Sequence, residues 1–226
     1  MAAGEGRRMR PVSERWPKPV LPIDGRPVIG TLLRALAAAG LSRAFVVTGH
    51  LAEQVEELVG DGSAFGLEVR LVRQPEPIGS ADAVRRALGA GAEVPAVLSA
   101  ADTVFRPGDV ASFLLGFADS RAAGALAVRR YPLPSTARPP VRIRDGRVAV
   151  VVDDDPENPL GSAPLWALGP ALVPFLERLT GPPFELADAY QAAIDDGLEV
   201  SAIEIGTTRD VTNPVDLVKE NFPYLA

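Results

Sequence analysis

The first 120 residues alternate between helical and strand-like hydrophobic patterns, and this alternation limits the chain to few folds. The predicted helices cover 27–40, 52–60, 80–90 and 108–118, and the predicted strands cover 43–49, 67–73 and 95–100. Pro27 opens the first helix, Gly40 ends it, and Ser80 is predicted to cap the third. Strands that alternate with helices at this pace are joined by right-handed crossovers, so the pattern predicts an α/β fold with a largely parallel sheet.

The second half of the chain is richer in strands. Strand-like segments at 124–130, 141–152, 162–168 and 199–205 alternate with helical segments at 170–179, 185–196 and from Pro214 onward. The sequence RDGR (144–147) predicts a hairpin turn, because Asp-Gly readily adopts the positive φ angles of tight β-turns. The proline-rich stretch YPLPSTARPP (131–140) is predicted to be a loop or an edge, too short for an interdomain linker. We therefore expect one domain over 1–226, with two halves that meet near residue 120.

Composition restricts the chemistry that the chain can perform. It contains no cysteine and one histidine, which excludes thiolate nucleophiles and metal sites built from two imidazoles. A metal ion would therefore be a hard cation held by carboxylates. The net charge of −6 argues against a nucleic acid partner, because phosphate backbones bind basic surfaces. No apolar run is long enough to span a bilayer and no signal peptide is recognisable, so we expect a cytoplasmic protein with no membrane partner.

Residues 4–10, hereafter the arginine loop, place two glycines beside three arginines. Gly4 and Gly6 allow backbone conformations that other residues avoid, and they let an anion approach the backbone amides. The arginines, whose side chains carry paired donors for phosphate oxygens, are Arg7, Arg8 and Arg10. Neither the G-x-G-x-x-G dinucleotide fingerprint nor the G-x-x-x-x-G-K-[ST] phosphate loop occurs. The loop alone leaves an ordinary turn and a phosphate site equally open.

Lys18 stands between two prolines shortly after the arginine loop. Proline restricts its own φ angle and the conformation of the residue before it, so this segment is predicted to be stiff, extended and not helical. A lysine on such a segment could reach the same phosphate as the arginines. The alternative is a solvated surface lysine, which is the more common situation for this residue type.

Four stretches resemble the motifs of the sugar-phosphate nucleotidyltransferases, and together they extend over nearly the whole chain. The longest is AAGEGRRMRPVSERWPKPVLPIDGRPVI (2–29), which matches the family's A-A-G-x-G signature, its P-K-P and the glycine before its first helix. QPEPIGSADAV (74–84) is similar to the base-recognition segment, LSAADTVF (98–105) to a strand that ends in a metal-binding aspartate, and TTRDVTNPVDLVKEN (207–221) to the closing segment. The resemblance implies a three-layer, doubly wound, mostly parallel sheet of the nucleotide-diphospho-sugar transferase type, which is Rossmann-like.

Two aspartates are placed where such a fold binds ligands. Asp102 follows an apolar strand, and Asp210 follows another, at the carboxyl edge where open parallel sheets bind ligands. Two carboxylates that meet there could hold one Mg²⁺, which accepts a few carboxylates together with phosphate oxygens and water. Either aspartate could instead be an ordinary turn or helix-cap residue.

The resemblance also implies roles for individual residues. Arg8, Lys18 and Asp102 would be catalytic, and Asp102 and Asp210 would bind the metal. The residues implied in nucleotide binding are Ala3, Gly4, Gly6, Arg7, Arg8, Lys18, Gln74, Gly79 and Ser80, of which Gln74, Gly79 and Ser80 would lie under the nucleobase. Glu185 would face the acceptor, although an acid at the start of a helix is the more common explanation for such a residue.

The acceptor region departs from the family pattern. Where relatives carry Glu-Lys-Pro, this chain reads DDDPENP (153–159), and Asp155 stands at the position of the lysine that contacts the acceptor phosphate. A carboxylate there would repel a phosphate. Three explanations are open: the acceptor differs, the acidic run is a solvated loop, or another arginine takes over, the candidates being Arg129, Arg130 and Arg142.

The family's A-A-G motif is preceded by five or six apolar residues that form a central strand. A central strand satisfies the hydrogen bonds of both neighbours, and its loss would exceed what a marginally stable domain tolerates. We therefore expect the biological chain to start upstream, with Met1 at the last position of that strand.

The implied activity is Mg²⁺-dependent transfer of a nucleotidyl group from a nucleoside triphosphate to a sugar 1-phosphate, which yields a nucleotide sugar and pyrophosphate. Two alternatives are open, namely the same chemistry on a cofactor precursor or phosphorylated alcohol, and a non-catalytic module that binds a nucleotide or a sugar. The partners expected are therefore the triphosphate and a phosphorylated small molecule. The sequence leaves the nucleobase and homo-oligomerisation open.

Overall fold

A computed structural model of the chain describes residues 1–131 and 139–222. The α-helices, in chain order, are α1 (Val28–Ala38), α2 (Ala52–Val59), α3 (Ser80–Gly89), α4 (Asp109–Ser120), α5 (Val173–Arg178), α6 (Leu186–Asp195) and α7 (Pro214–Asn221). Short 3₁₀ turns cover Arg7–Met9, Val12–Glu14, Lys18–Val20, Ser63–Phe65 and Pro170–Leu172. Within the described ranges, no helix combines the length and hydrophobicity needed to cross a membrane.

The strands, in chain order, are β1 (Pro22–Ile23), β2 (Arg26–Pro27), β3 (Arg43–Thr48), β4 (Glu68–Arg73), β5 (Ala96–Ser99), β6 (Thr103–Val104), β7 (Gly124–Arg130), β8 (Arg142–Arg144), β9 (Arg147–Val150), β10 (Leu160–Leu168), β11 (Val200–Glu204) and β12 (Arg209–Asp210). Every helix and strand predicted between residues 27 and 130 is present, with ends that shift by two residues or fewer. Much of the proline-rich segment predicted as a loop, namely 132–138, lies outside the described residues.

The chain divides into two compact units. The first unit contains Met1–Pro77, Ala100–Ala111 and the segment from Thr208 onward. Its β3 and β4 pair in parallel, from Arg43 opposite Glu68 to Thr48 opposite Arg73. Ala2 forms a parallel bridge with Thr48 and donates its N–H to the Val47 carbonyl at 2.7 Å. Residues 1–3 thus run as a short parallel segment beside β3, and a longer strand upstream stays a prediction.

The second unit contains Ile78–Ser99 and Ser112–Thr207. Its six-stranded sheet has the order β5-β10-β7-β11-β9-β8. Among the described strands of this sheet, only β7 and β11 pair in parallel, and the other four pairings are antiparallel. The prediction of a mostly parallel sheet is therefore wrong for this unit. In the described residues, β7, β8, β9 and β10 follow one another along the chain with no helix in between. Two consecutive strands can pair in parallel only when a long crossover, usually a helix, joins them.

Asp-Gly turns form two hairpins. Asp145 and Gly146 have φ angles of 50° and 75° and connect β8 to β9, which confirms the turn predicted from RDGR. Asp24 and Gly25 have φ angles of 51° and 70° and connect β1 to β2 in the same way. The second hairpin carries the same dipeptide signal and was not predicted.

Candidate active site

The arginine loop is held in place by one buried side chain and one glycine. Met9 is fully buried in a small core with four apolar residues, namely Leu21, Ile23, Val28 and Val211. Gly6 has a φ angle of 63°, and its carbonyl accepts a hydrogen bond of 2.8 Å from the Met9 N–H, which closes a 3₁₀ turn. Because Met9 points into the core, the two residues before it, Arg7 and Arg8, remain exposed.

Gly6 also provides space for Lys18. A Cβ atom added to Gly6 would lie 3.1 Å from Cγ of Lys18 and 3.3 Å from Cβ of Ser13. The glycine is therefore needed for its positive φ angle and for the close passage of the lysine side chain. Sequence motifs suggested the first reason only.

Lys18 begins a 3₁₀ turn, Lys18–Val20, and does not lie in an extended segment. The prediction that this segment is not helical is wrong, because proline is tolerated in the first turn of a helix, where its missing N–H has no partner to lose. The side chain of Lys18 is only 12% exposed, and its Nζ lies 3.6 Å from Oδ2 of Asp102. Lys18 is therefore directed into the protein next to a carboxylate and is not a solvated surface lysine.

A pocket of about 370 Å³ lies over the arginine loop. Its lining residues are Met1, Ala2, Gly4, Gly6, Arg7, Arg8, Lys18, Pro19, Ala100 and Asp102. Three cationic side chains and one carboxylate face it, so the pocket suits a small polyanion. The predicted residues that line this pocket are Gly4, Gly6, Arg7, Arg8, Lys18 and Asp102, whereas Ala3 and Arg10 do not line it.

The cations of the pocket differ in their partners. Nε of Arg7 donates a hydrogen bond of 2.8 Å to Glu5, and this interaction holds the pKa of the Glu5 carboxyl below its usual value. Arg8 has no ion-pair partner among residues 1–131 and 139–222. An incoming anion would compete with Glu5 for Arg7, whereas Arg8 is available to it directly.

Asp102 and Asp210 lie on neighbouring segments of the first unit. Asp102 precedes β6, and Asp210 pairs with Thr103 where β12 meets β6. The hydroxyl of Thr212 donates a hydrogen bond of 2.8 Å to Oδ1 of Asp210, and this contact fixes the carboxylate. The two predicted metal ligands are therefore one residue apart across a strand pairing.

This arrangement fits the donor set that Mg²⁺ prefers. In the described part of the chain, no three acidic or histidine side chains are grouped so that together they could hold a metal ion. Mg²⁺ commonly uses one or two carboxylates and completes its shell with phosphate oxygens and water, so two aspartates are sufficient. The buried hydroxyl of Thr103, opposite Asp210, has no hydrogen-bond partner among the described residues, which leaves one more oxygen beside the pair.

Arg209 fixes β12, and sequence reasoning did not identify it. Its guanidinium donates to both carboxylate oxygens of Asp24, at 2.5 and 2.9 Å, and its Nε donates to Glu220 at 2.5 Å. The hydrogen bond from Arg209 lowers the pKa of Asp24. A bidentate arginine pair adjacent to Asp210 restricts the position of that aspartate.

Gln74 and the pair Gly79 and Ser80 fall into different units. Gln74 follows β4, is 3% exposed, and donates its backbone N–H to the Thr48 carbonyl at 2.7 Å. Gly79 and Ser80 begin α3 in the second unit. Their contact with a nucleobase stays a prediction.

Ser80 does not cap its own helix. Gly79 occupies the N-cap position of α3, while the Ser80 hydroxyl donates to Oε2 of Glu185 at 2.5 Å and accepts the Leu186 N–H at 2.9 Å. Glu185 is itself the N-cap residue of α6. The prediction of a cap is therefore wrong, because the hydroxyl is used between two helix starts. This geometry matches the alternative explanation of Glu185 as a helix-start acid, and an acceptor contact there stays a prediction.

Replacing Gly79 with alanine is expected to lower the free energy of unfolding by about 2–4 kcal/mol. A Cβ atom there would overlap the Phe184 carbonyl oxygen and lie 2.6 Å from the Phe184 backbone nitrogen, and the φ angle of 125° disfavours any side chain. Gly89→Ala in the same helix is the matched control, because no atom outside its chain neighbours and its own helix backbone lies within 4 Å of the place that its new Cβ atom would take. Chemical denaturation of both variants measures the difference, and equal stabilities would contradict the packing described here.

The acidic run at 153–157 is divided between a buried and an exposed part. Asp153 is 5% exposed, forms an ion pair with Arg142, and accepts a hydrogen bond of 3.1 Å from Asn158. Asp155, at the position of the family's lysine, is exposed. The explanation of a solvated loop therefore holds for Asp155 but not for Asp153.

The three arginines considered as replacements for that lysine have different surroundings. Arg142 is paired with Asp153, and Arg130 lies 3.1 Å from Glu204 in an exposed pair. Arg129 is buried, with its guanidinium 4.6 Å from the centre of the Tyr131 ring. An acceptor phosphate would have to displace a carboxylate from Arg130 or Arg142.

Comparison with known protein families identifies the family to which these motifs belong. The family model described as nucleotidyl transferase matches residues 1–136. The chain belongs to the nucleotidyl transferase family. The matched range includes the arginine loop, Lys18, Gln74, Ser80 and Asp102, whereas Asp210 and Glu185 lie beyond it.

Relatives in the nucleotidyl transferase family are longer than this chain. A glucose-1-phosphate thymidylyltransferase of Streptomyces griseus is 28% identical over 98% of the chain, which spans 64% of that relative's length. A CMP-5'-(3-aminopropyl)phosphonate synthase of Streptomyces rubellomurinus is 33% identical over 88% of the chain, which spans 33% of that protein.

A solved structure supports the fold. The UDP-glucose pyrophosphorylase from Acinetobacter baumanii superposes with a TM-score of 0.82 at 20% identity, covering 97% of this chain and 89% of the other. This likeness confirms the Rossmann-like α/β class predicted from the sequence.

Proposed function

We propose that this chain transfers a nucleotidyl group from a nucleoside triphosphate to the phosphate of a sugar 1-phosphate, with Mg²⁺ as cofactor. The observation that carries the proposal is the pocket over the arginine loop, where Arg8 and Lys18 face a polyanion-sized space beside Asp102. Membership of the nucleotidyl transferase family supports the same chemistry. The name of the Streptomyces griseus relative supports a sugar phosphate as the acceptor.

The cations of the pocket would bind the triphosphate. In the proposed reaction, an oxygen of the acceptor phosphate attacks the α-phosphorus, a new P–O bond forms, and the bond from the α-phosphorus to the bridging oxygen breaks. Pyrophosphate leaves with the electron pair of that bond. Arg8 and Lys18 would neutralise the charge that develops on the phosphates, and their fixed positions would align the two anions.

Asp102 and Asp210 would hold the Mg²⁺ ion, because they are the two carboxylates that meet where β6 pairs with β12. When bound, the ion would supply positive charge to the phosphate oxygens and assist the departure of pyrophosphate. Lys18, whose Nζ lies only 3.6 Å from Oδ2 of Asp102, would orient that carboxylate.

Gln74, Gly79 and Ser80 would recognise the nucleobase. A glutamine amide carries both a donor and an acceptor, so it can pair with the edge of several bases. The base that the protein prefers is therefore an outcome of the pyrophosphate-release experiment described below.

A second candidate acceptor is a phosphate or phosphonate that is not attached to a sugar ring. Two observations favour it. The exposed carboxylate of Asp155 stands at the position of the family's lysine, and Arg142, a possible replacement for that lysine, already forms an ion pair with Asp153. The name of the Streptomyces rubellomurinus relative, which includes an aminopropylphosphonate, points the same way. An acidic side chain would repel a bare phosphate but would tolerate an acceptor that also carries an amine.

Pyrophosphate release tests both candidates. We expect release with at least one pair drawn from five triphosphates (ATP, CTP, GTP, UTP and dTTP) and a panel of sugar 1-phosphates, glycerol phosphate and 3-aminopropylphosphonate. Chelation of Mg²⁺ by EDTA should abolish it. Turnover only with non-sugar acceptors would favour the second candidate. Triphosphate binding without turnover on every pair would contradict both and favour a non-catalytic module.

A further inference from the structure

His50, which follows β3 and Gly49, contacts the backbone on both sides of the arginine loop. The backbone N–H of His50 donates to the Ala3 carbonyl at 3.2 Å, just before the loop begins. Nε2 of the His50 ring lies 2.7 Å from the carbonyl oxygen of Ser13, three residues after the loop ends. A carbonyl oxygen only accepts, so Nε2 carries the proton in this contact. One residue thus connects Ala3, before the loop, with Ser13, after it.

Ser13, which His50 contacts, packs next to Gly6 and Lys18, two of the residues predicted to bind the triphosphate. Ser13 is 2% exposed, and its Cβ is one of the atoms packed closest to Gly6. The other close atoms at Gly6 belong to the side chain of Lys18. A shift of the Ser13 backbone would therefore move Gly6 and the stem of Lys18 together.

Gln54, on α2, provides a second contact of the same kind. Its Nε2 donates a hydrogen bond of 2.8 Å to the Arg15 carbonyl, two residues beyond Ser13. Gly49, next to His50, passes so close to Ala3 that an added Cβ would lie 2.7 Å from the Ala3 carbonyl oxygen. Three residues of one segment, Gly49, His50 and Gln54, therefore contact the backbone on both sides of the arginine loop.

We propose that His50, assisted by Gln54, is a positioning residue that holds the arginine loop and Lys18 in the arrangement that binds the triphosphate. The proposal rests on the proposed function. His50 is the only histidine of the chain. It does not line the pocket and so acts through the loop backbone and not on the substrate.

Three substitutions separate positioning from general stability. His50→Phe keeps the size of the ring without a donor, His50→Asn places an amide nitrogen near the position of Nδ1, and His50→Gln places one near Nε2. We expect the KM for the triphosphate to rise about fivefold to tenfold in the Phe and Asn variants, which is the range that the loss of one hydrogen bond gives. In the Gln variant, this KM should be within about twofold of the wild-type value. The KM for the acceptor should not change. If His50 had only a structural role, all three variants would have a lower melting temperature and a smaller active fraction. The KM for the triphosphate would then not rise relative to the KM for the acceptor.

Hydrogen exchange tests the contact without reference to activity. In the nucleotide-free protein, His50→Phe should speed exchange in the peptide that covers residues 4–16, where Met9, Glu14 and Arg15 donate backbone hydrogen bonds, and His50→Gln should restore slow exchange. Unchanged exchange in His50→Phe would overturn the proposal, as would faster exchange with an unchanged KM for the triphosphate.

The same set of variants distinguishes this proposal from the proposed function. If wild type binds triphosphate and Arg8→Ala loses binding while His50→Phe retains it, the positioning role is wrong and the proposed function stands. If Arg8→Ala binds triphosphate as wild type does, the proposed function fails at the arginine loop and the positioning role fails with it, whatever the exchange data indicate about the backbone.

Discussion

Replacing Asp102 with asparagine is expected to lower the rate of pyrophosphate release roughly 10²–10³-fold, the range seen when one preorganised electrostatic contact to a reacting group is removed. The substitution preserves the shape of the side chain but removes the charge that would hold Mg²⁺ and that faces Lys18 at 3.6 Å. Triphosphate binding should change much less, because Arg8 and Lys18 are retained. Steady-state kinetics and equilibrium binding on the same preparation measure the two quantities.

Two further variants make this result specific. Asp210→Asn should lower the rate to a similar extent, because Asp210 pairs with Thr103 directly beside Asp102. Asp119→Asn, on the exposed surface of α4, changes the same functional group away from the pocket and should leave the rate within about twofold of wild type. Unchanged turnover in Asp102→Asn would remove Asp102 from the metal site.

Replacing Lys18 with glutamine is expected to lower kcat/KM for the triphosphate roughly 10²-fold. Lys18 is 12% exposed and faces the pocket together with Arg8, so the loss of its charge is not compensated by solvent. We expect both a higher KM and a lower kcat, because the lysine would contact the phosphates in the ground state and in the transition state.

The chain contains a matched control for this variant. Lys219 is the only other lysine and is exposed on α7, so Lys219→Gln changes the same functional group without touching the pocket. It should retain full activity. Equal effects of the two substitutions would indicate a general effect of net charge, and full activity of Lys18→Gln would contradict its assignment to the triphosphate.

Local patterns were sufficient to predict most of the helices and strands. Helix α1 follows Pro27 and ends before Gly40, which has a φ angle of 90°, as the proline and glycine signals indicate. The turn at Asp145 and Gly146 was readable from the dipeptide alone. These features depend on residues that are neighbours in the sequence, so a local sequence pattern is enough to predict them.

Features that depend on distant residues were not predictable in the same way. The position of β10 between β5 and β7 is set by pairing over many residues, and neither its place nor its direction follows from its hydrophobic pattern. Ser80 looked like a helix cap because the signal for a cap is local, while its partners Glu185 and Leu186 lie more than 100 residues away.

The candidate site shows the same division. Arg8, Lys18 and Asp102 were identified from motifs, and the structure brings all three to one pocket. The supporting contacts of His50 and Arg209 were missed, because an isolated histidine after a strand and an arginine before an aspartate have no motif of their own. The acceptor could not be predicted from the sequence, because Asp155 stands where the family's motif has the lysine that contacts the acceptor phosphate.

A crystal structure of the protein with a non-hydrolysable nucleoside triphosphate and Mg²⁺ would decide whether the arginine loop is the triphosphate site. We expect the triphosphate to lie against the arginine loop, with phosphate oxygens within hydrogen-bond distance of Arg8 and Lys18 and a metal ion bound by Asp102 and Asp210. A triphosphate bound away from the arginine loop, with Lys18 still paired only with Asp102, would contradict the proposed site.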